Sequence, residues 1–257
     1  MYERFRNLVA EILSRDGLLS ISCIVGAGLS AGSGLQTFRG ENGLYSQIEP
    51  EALASRQGFE ANPELVWSWY RDRMIKVMQT EPNPGHYALV ELEHLGVLHK
   101  IITQNVDGLH RRAGQSDDKL IQVHGTLSET HCLNHCGKTM QITTEDDIPD
   151  SVPVHCSCGS YQRPSVVWFG EPIPFDFYAI INDIKANTNL LLIIGTSGTV
   201  VPVSMIPGQV ASVMEIVNIN PDISSFKHIA DQSISEPAEA ALPKIVTIIK
   251  NLLVDQT

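Results

Sequence analysis

The sequence predicts an α/β fold: a parallel sheet with a smaller module inserted near its middle. Three observations carry that expectation. Short apolar, β-rich runs alternate with segments of helical periodicity, which implies parallel strands covered by helices on both faces. A glycine-rich turn follows the first of those runs directly. Four of the five cysteines fall in two close pairs, inside a stretch with little periodicity of its own. At 257 residues, 43% of them hydrophobic, the chain is long enough for one sizeable core. It therefore reads as a single domain over residues 1–257, with the small module at residues 127–163 held by metal rather than by a core of its own.

The elements follow in order. Tyr2, Phe5, Leu8, Val9, Ile12 and Leu13 recur at helical spacing, so the chain opens with an amphipathic helix. Ser20 to Val25 is a short apolar run that stops at glycines, as a buried strand does. A region rich in Gly, Gln, Asn and Ser runs from Gly26 to about Ser46. Pro63 starts a helix carrying Leu65, Val66 and Trp69. A second, with Ala88, Leu89, Leu92 and Leu95, leads to a strand at Val97 to Ile102. Leu120 to Val123 is a further strand, ending at His124. Strand signals resume at Val166 to Trp168, Leu190 to Ile194 and Met214 to Ile219. A helix from about Pro237 to Leu253 closes the fold.

Charge and composition exclude some functions. The net charge is −11 and no run of Lys or Arg offsets it, so a phosphate backbone is repelled and nucleic-acid binding is not expected. No stretch approaches the roughly 20 apolar residues that a membrane span needs. Residues Met1 to Arg15 alternate charged and apolar types and do not read as a secretory signal. The expectation is a cytoplasmic protein, monomeric by default. In that compartment paired cysteines read as metal ligands before disulfides, and Cys23, alone in an apolar run, reads as a core residue.

Gly26-Ala27-Gly28 directly after a strand is where a dinucleotide's pyrophosphate can meet a close backbone and a helix N-terminus. The pattern alone is also that of a plain tight turn. A dehydrogenase would add a third glycine three residues on and an acid at the end of the second strand. Here Ala31 holds the third position, Gly32 follows it, and no acid sits at the end of a second strand.

Further motifs extend the pattern. The run Gly26-Ala27-Gly28-Leu29-Ser30-Ala31-Gly32-Ser33-Gly34 and then Thr37-Phe38-Arg39-Gly40 resembles the cofactor loop of the sirtuins. So do Gln104-Asn105-Val106-Asp107-Gly108-Leu109-His110, Val123-His124-Gly125, Arg163-Pro164 leading to Val167-Trp168-Phe169-Gly170-Glu171, Gly195-Thr196-Ser197, and Asn220. They stand in the family's order over nearly the whole chain. The resemblance implies a Rossmann-like domain with a smaller inserted zinc-binding module. It implies NAD consumed as co-substrate and acylated-lysine proteins or peptides as partners. The products would be free lysine, nicotinamide and an O-acyl-ADP-ribose.

By the same resemblance His124 is the catalytic base, a role suited to an imidazole that is neutral near pH 7. Asn105 and Asp107 are catalytic as well and surround the nicotinamide carboxamide, and Gln104 binds the cofactor. Gly26, Ala27 and Gly28 approach the cofactor, while Ser30, Phe38 and Arg39 cover it on a closing loop. Gly195, Thr196 and Ser197 hold its phosphates, and Asn220 touches the adenine-side ribose. Read without the family, isolated Ser, Thr and Asn are capping or turn residues. Val167, Trp168, Phe169 and Gly170 form the edge that pairs with the substrate peptide's backbone, which reads main chain rather than side chains; a plain core strand accounts for Val166 and Val167 equally well. His86, His94, His99 and His110 read as ordinary surface or packing residues.

Tyr70 and Arg73 lie three apart on the helix that begins at Pro63, so they share a face and could together grip a carboxylate. Tyr-x-x-Arg at this place resembles the sirtuins that remove succinyl and malonyl groups, and Ala54 stands where that subgroup has a small residue widening the acyl pocket. From the helix alone, Tyr70-Arg71-Asp72-Arg73 is a solvated run. The alternatives are a deacetylase without acidic-acyl preference and a protein ADP-ribosyltransferase of the same fold. A conventional oxidoreductase would leave His124 and the cysteine pairs unexplained.

Cys132 and Cys136 are separated by three residues, Cys156 and Cys158 by one, where sirtuins usually have two in each pair. One structural zinc ion on these four is the expectation, with His155 able to replace Cys156 and His131 and His135 as spare candidates. Buried thiols without metal are the alternative. Gln36 departs from the proline that relatives commonly have before Thr37-Phe38-Arg39, which loosens the loop.

Overall fold

The computed structural model describes residues 1–37, 43, 49–222 and 224–255. Phe38 and Arg39, expected to cover the cofactor, lie outside the described residues.

Helix α1 spans Tyr2–Asp16 and buries Phe5, Val9, Ile12 and Leu13; Gly17 ends it in the left-handed region at φ 73°. Strand β1, Ile21–Val25, is buried throughout. Three short helices follow: α2 (Gly28–Ala31), α3 (Pro50–Leu53) and α4 (Arg56–Ala61). Helix α5 (Pro63–Met78) starts on a proline behind an Asn62 cap that accepts from Leu65 N, and α6 (Pro84–His94) repeats the device with Asn83. Next come β2 (Leu98–Thr103), the single turn α7 (Leu109–Arg112) and β3 (Leu120–Gln122). Strands β4 (Gly125–Cys132), β5 (Thr139–Gln141) and β6 (Gln162–Val166) lie together in sequence. The chain finishes with α8 (Phe177–Asn187), β7 (Leu190–Ile194), α9 (Ile206–Val210), β8 (Glu215–Ile219), β9 (Gln232–Ile234) and α10 (Ala238–Val254).

The main sheet is parallel, in the order β3-β2-β1-β7-β8-β9. From β1 the chain winds outward through β2 and β3, then returns to β7 beside β1 and winds outward the other way. The loops after β1 and β7 therefore part at the switch point and leave a crevice beyond the strands' carboxyl ends. Both faces are covered. α1, α6 and α10 pack on one, with Ile21, Cys23, Val25, Leu192 and Ile194 beneath them. α8 and α9 pack on the other, over Ile24, Ile102, Leu191, Ile193 and Ile216. Each large apolar side chain so buried contributes about 1.5–3 kcal/mol. Among the described residues no helix is long and apolar enough to cross a membrane.

The second sheet is small and antiparallel, in the order β5-β4-β6. Its neighbourhood has more core than the sequence suggests. Leu133, Ile142 and Ile148 belong to one hydrophobic cluster with Val66, Trp67, Tyr70 and Met74 of α5 and with Trp168. Trp67 ties the two parts further by donating from Nε1 to Gln162 O at 2.7 Å. This fixes which face of α5 is inward. Leu65 is 42% exposed and Trp69 half-buried, whereas Val66, Trp67, Tyr70, Met74 and Val77 are buried. The expected strand at Val166 to Trp168 is also displaced: regular pairing ends at Val166, and the next residues make single contacts to two different segments. His86 and His110 are buried, and His86 Nδ1 accepts from Asn83 N in the cap of α6. Their rings meet at 5.3 Å, and burial pushes the first down to about 4 and the second to about 3.

Candidate active site

A cavity of about 1170 Å³ occupies the crevice at the carboxyl ends of the strands. Ala27 and Gly28 after β1, Gln104 and Asn105 after β2, His124 after β3, Gly195, Thr196 and Ser197 after β7, and Asn220 after β8 all line it. So do Ala54, Tyr70 and Arg73, and the whole segment Val167, Trp168, Phe169, Gly170. Ser30 and Asp107 line a small annex of about 20 Å³ instead, shared with Ala27, Asn105 and Arg73. Gly26 lines neither space.

His124 is held by backbone on both sides. Its Nδ1 lies 3.1 Å from Gln104 O, and because a carbonyl only accepts, Nδ1 carries the hydrogen. Nε2 is then a lone-pair acceptor. Burial keeps the imidazole below its usual titration range, with the Gln104 bond pulling weakly the other way, so the ring is neutral at pH 7. His124 O accepts from Val167 N at 2.9 Å. The next residue must be glycine: Gly125 sits at φ 79°, and a Cβ there would lie 2.0 Å from Ser165 O.

Asn105 and Asp107 are linked through Ser30. Asn105 Nδ2 donates to Gly26 O at 3.1 Å and to Ser30 Oγ at 3.2 Å, and Ser30 Oγ donates to Asp107 Oδ2 at 2.7 Å. Asp107 Oδ1 accepts from Leu109 N and so begins α7. Asn105 is 4% exposed, and its Oδ1 has no hydrogen-bond partner among the described residues. An unmet buried acceptor beside a cavity suits a ligand carrying N–H or O–H groups.

The glycines after β1 serve the protein first. Gly28 N donates to Gly195 O at 2.8 Å, and a Cβ on Gly28 would come 2.7 Å from Gly195 Cα. The two loops could not close on each other with larger residues. Helix α2 is a single turn, too short for the helix N-terminus expected at this loop. Thr196 Oγ1 donates to Gln104 Oε1 at 2.9 Å, Asn220 Nδ2 donates to Thr196 O at 3.0 Å, and Ser197 Oγ pairs with Thr199 Oγ1 at 2.9 Å. These residues therefore fix the loops as well as lining the cavity. Glu239 lines the cavity too, from the first turn of α10, against Gly32. More than 200 residues separate it from the glycine loop, so no local motif announces it.

At the other end of the cavity, Tyr70 and Ala54 are 4% and 6% exposed and Arg73 is half-buried. The solvated-run reading of this helix therefore fails at Tyr70. Arg73 lies over the Trp69 ring, 4.9 Å from its centre. Phe169 N donates to Ala54 O at 2.7 Å, and its side chain is 44% exposed at the rim.

The four cysteines converge away from this chemistry. Cys132 and Cys158 approach to 3.5 Å between sulfurs, Cys136 and Cys156 to 3.6 Å, and all four sulfurs lie within 4.8 Å of one another. A tetrahedral zinc thiolate site, with Zn–S of about 2.3 Å, sets its sulfurs about 3.8 Å apart. The cluster fits one structural zinc ion. The long first spacing is absorbed by His135, at φ 51°, ahead of Gly137 at 83°. The short second spacing is harmless because Cys156 and Cys158 face different members of the first pair. His155 is no replacement ligand: it is exposed and packs on Tyr161. His131 and His135 stack on each other outside the cluster.

Residues 26–202 match the profile of the Sir2 family. The chain belongs to the Sir2 family. It is 40% identical over 249 residues to the NAD-dependent protein deacylase 2 of Pyrobaculum aerophilum, covering 95% of this chain and 96% of that one. A solved Sir2 homologue in complex with NAD superposes with a TM-score of 0.84 at 38% identity, over 97% of this chain and 94% of the other. A Sir2 protein bound to a myristoylated histone peptide superposes at 0.78 with 30% identity, over 99% and 100%. In this Sir2 protein the residues at the sheet's switch point and Ala54, Tyr70 and Arg73 line one and the same cavity.

Proposed function

We propose that this Sir2 protein removes acyl groups from protein lysines with NAD as co-substrate, and that it prefers succinyl and malonyl groups. It is an NAD-dependent protein deacylase of its family; the acyl preference rests on one observation. Tyr70 and Arg73 line the same cavity as His124 and Asn105, with the small Ala54 beside them. A guanidinium and a phenol at the acyl end of such a cavity suit a carboxylate-tipped chain and give an acetyl group nothing extra.

NAD supplies the ribosyl carbon and leaves as nicotinamide and O-acyl-ADP-ribose. Asn105 and Asp107, with Ser30 bridging them, surround the carboxamide with donors and acceptors. The lysine's acyl oxygen takes the position nicotinamide vacates on the ribose. His124 then accepts a ribose hydroxyl proton at Nε2, and that hydroxyl oxygen attacks the acyl carbon. Water completes the release of the lysine amine. Gly195, Thr196, Ser197 and Asn220 hold the phosphate and adenine-side ribose regions, and the Val167 to Gly170 segment aligns the peptide backbone. Zinc on the four cysteines is structural.

Substituting Arg73 tests the acyl preference. Arg73→Met removes a charge-assisted contact worth about 1.5–3 kcal/mol. Desuccinylation kcat/KM is expected to fall roughly ten- to a hundredfold while deacetylation is spared. Equal losses on matched succinyl- and acetyl-lysine peptides would sink the preference and leave a deacetylase without it.

A further inference from the structure

Trp168 and Phe169 are neighbours in the cavity wall, yet Trp168 is 1% exposed and Phe169 44%. Pairing with a peptide's backbone accounts for the main chain here and says nothing of the buried indole. That ring is fixed from three directions. Phe59 packs on it with ring centres 5.3 Å apart. The Arg163 guanidinium lies on its face, 3.3 Å from the ring centre, and is itself 2% exposed. Arg163 reaches the Glu171 carboxylate through both Nη1 and Nη2, and Glu171 Oε2 also accepts from Trp168 N at 2.8 Å. Glu171 is half-buried, so the pair joins a buried guanidinium to a carboxylate at the cavity wall, and together they hold one ring in place. What that ring presents is a single polar group: Trp168 Nε1 donates to Tyr70 Oη at 3.0 Å.

We propose that Trp168 is a positioning residue for acyl selectivity, its clamped indole N–H orienting the Tyr70 hydroxyl to donate to the carboxylate of an acidic acyl group. This rests on the acidic-acyl reading above. An indole N–H only donates, so the phenol oxygen is the acceptor in this pair and its own hydrogen is directed elsewhere. A carboxylate only accepts, so a hydroxyl set in this way complements it. An acetyl group ends in a methyl and has nothing for that hydroxyl to meet. The effect of Trp168 on acyl selectivity then passes through Tyr70.

The test is steady-state kinetics at saturating NAD on succinyl- and acetyl-lysine versions of one peptide, for Trp168→Phe, Tyr70→Phe and the double variant. Phenylalanine keeps an aromatic ring and removes the donor. Trp168→Phe is expected to raise KM for the succinyl peptide about three- to tenfold more than it raises KM for the acetyl peptide, any loss in kcat being common to both. The double variant is expected to be no worse than Tyr70→Phe alone. Equal losses on both peptides would reduce Trp168 to a packing residue, and multiplying losses in the double variant would deny the link to Tyr70; either overturns the proposal. Should Trp168→Phe not fold, Glu171→Gln leaves the indole but loosens its clamp, and the same split is expected. If Arg73→Met loses succinyl selectivity while Trp168→Phe keeps it, only this inference fails. If the native enzyme itself shows no succinyl preference, the acidic-acyl reading fails and this falls with it.

Discussion

Replacing His124 with alanine lowers deacylation kcat/KM by about 10²–10⁴-fold, the range a positioned general base supplies. The fold should survive the change. Among the described residues the imidazole is hydrogen-bonded to Gln104 O, while the neighbouring main chain is tied separately by His124 O and Val167 N. The loss should therefore appear in turnover with the thermal midpoint little changed. The pH profile carries the same claim. Burial lowers the pKa of His124 from its ordinary 6.5, and the base must be neutral to act. Activity should hold as pH falls to 6.5 and decline only below it. In the alanine variant that acid limb should disappear from whatever rate remains. A limb centred above 6.5, or one that persists without the imidazole, would assign the base elsewhere.

Loss of the metal has the second large effect. Cys156→Ser should reduce zinc from about one ion per chain to nearly none, since the remaining three thiolates leave the tetrahedron incomplete. Structural zinc contributes folding energy directly, and several kcal/mol lost here corresponds to a fall of about 10 °C or more in Tm. Activity should fall too, although the cluster is remote from the cavity. β4 begins at Gly125, directly after the base, and β6 leads from Val166 into the segment that lines the peptide side of the cavity. The chain should not unfold outright, because Leu133, Ile142 and Ile148 are packed against α5 whether or not metal is present. A serine variant that keeps its melting point and its turnover without zinc would contradict this account.

The central strands of the parallel sheet were legible in the sequence because they are buried on both faces, whereas the three-residue edge strand β9, with Ser233 exposed, was not. Runs such as Leu190–Ile194 are continuous and apolar, and they end at glycines. The β4–β6 sheet was not, since its strands carry polar residues such as Ser128, Glu129 and Thr139 on exposed or half-buried positions. Helix α8 has readable signals, an Asp176 cap and Ile180, Ile181 and Ile184 on one face, but its eleven residues lie between two loops that obscure them. On α5 the period was right and the inward face misjudged. Leu65 and Trp69 look apolar, but contact with the second sheet selects Trp67 and Tyr70 instead, a long-range choice that local pattern does not contain. The site divides the same way. Among the described residues, Ala27, Gly28, Gln104, Asn105, His124, Gly195, Thr196, Ser197 and Asn220 line one cavity, with Gly26 just behind them, because each follows a strand of the parallel sheet. Glu239 and the Arg163–Trp168–Tyr70 chain depend on tertiary contacts and left no spacing to read.

The most direct test follows nicotinamide release from NAD with one lysine peptide in acetyl, succinyl and malonyl forms. The account predicts release in step with peptide deacylation and with O-acyl-ADP-ribose. It also predicts kcat/KM at least about tenfold higher for the two acidic acyl groups, the difference one charge-assisted contact provides. Nicotinamide released without deacylation, with the ADP-ribose label left on protein, would contradict it.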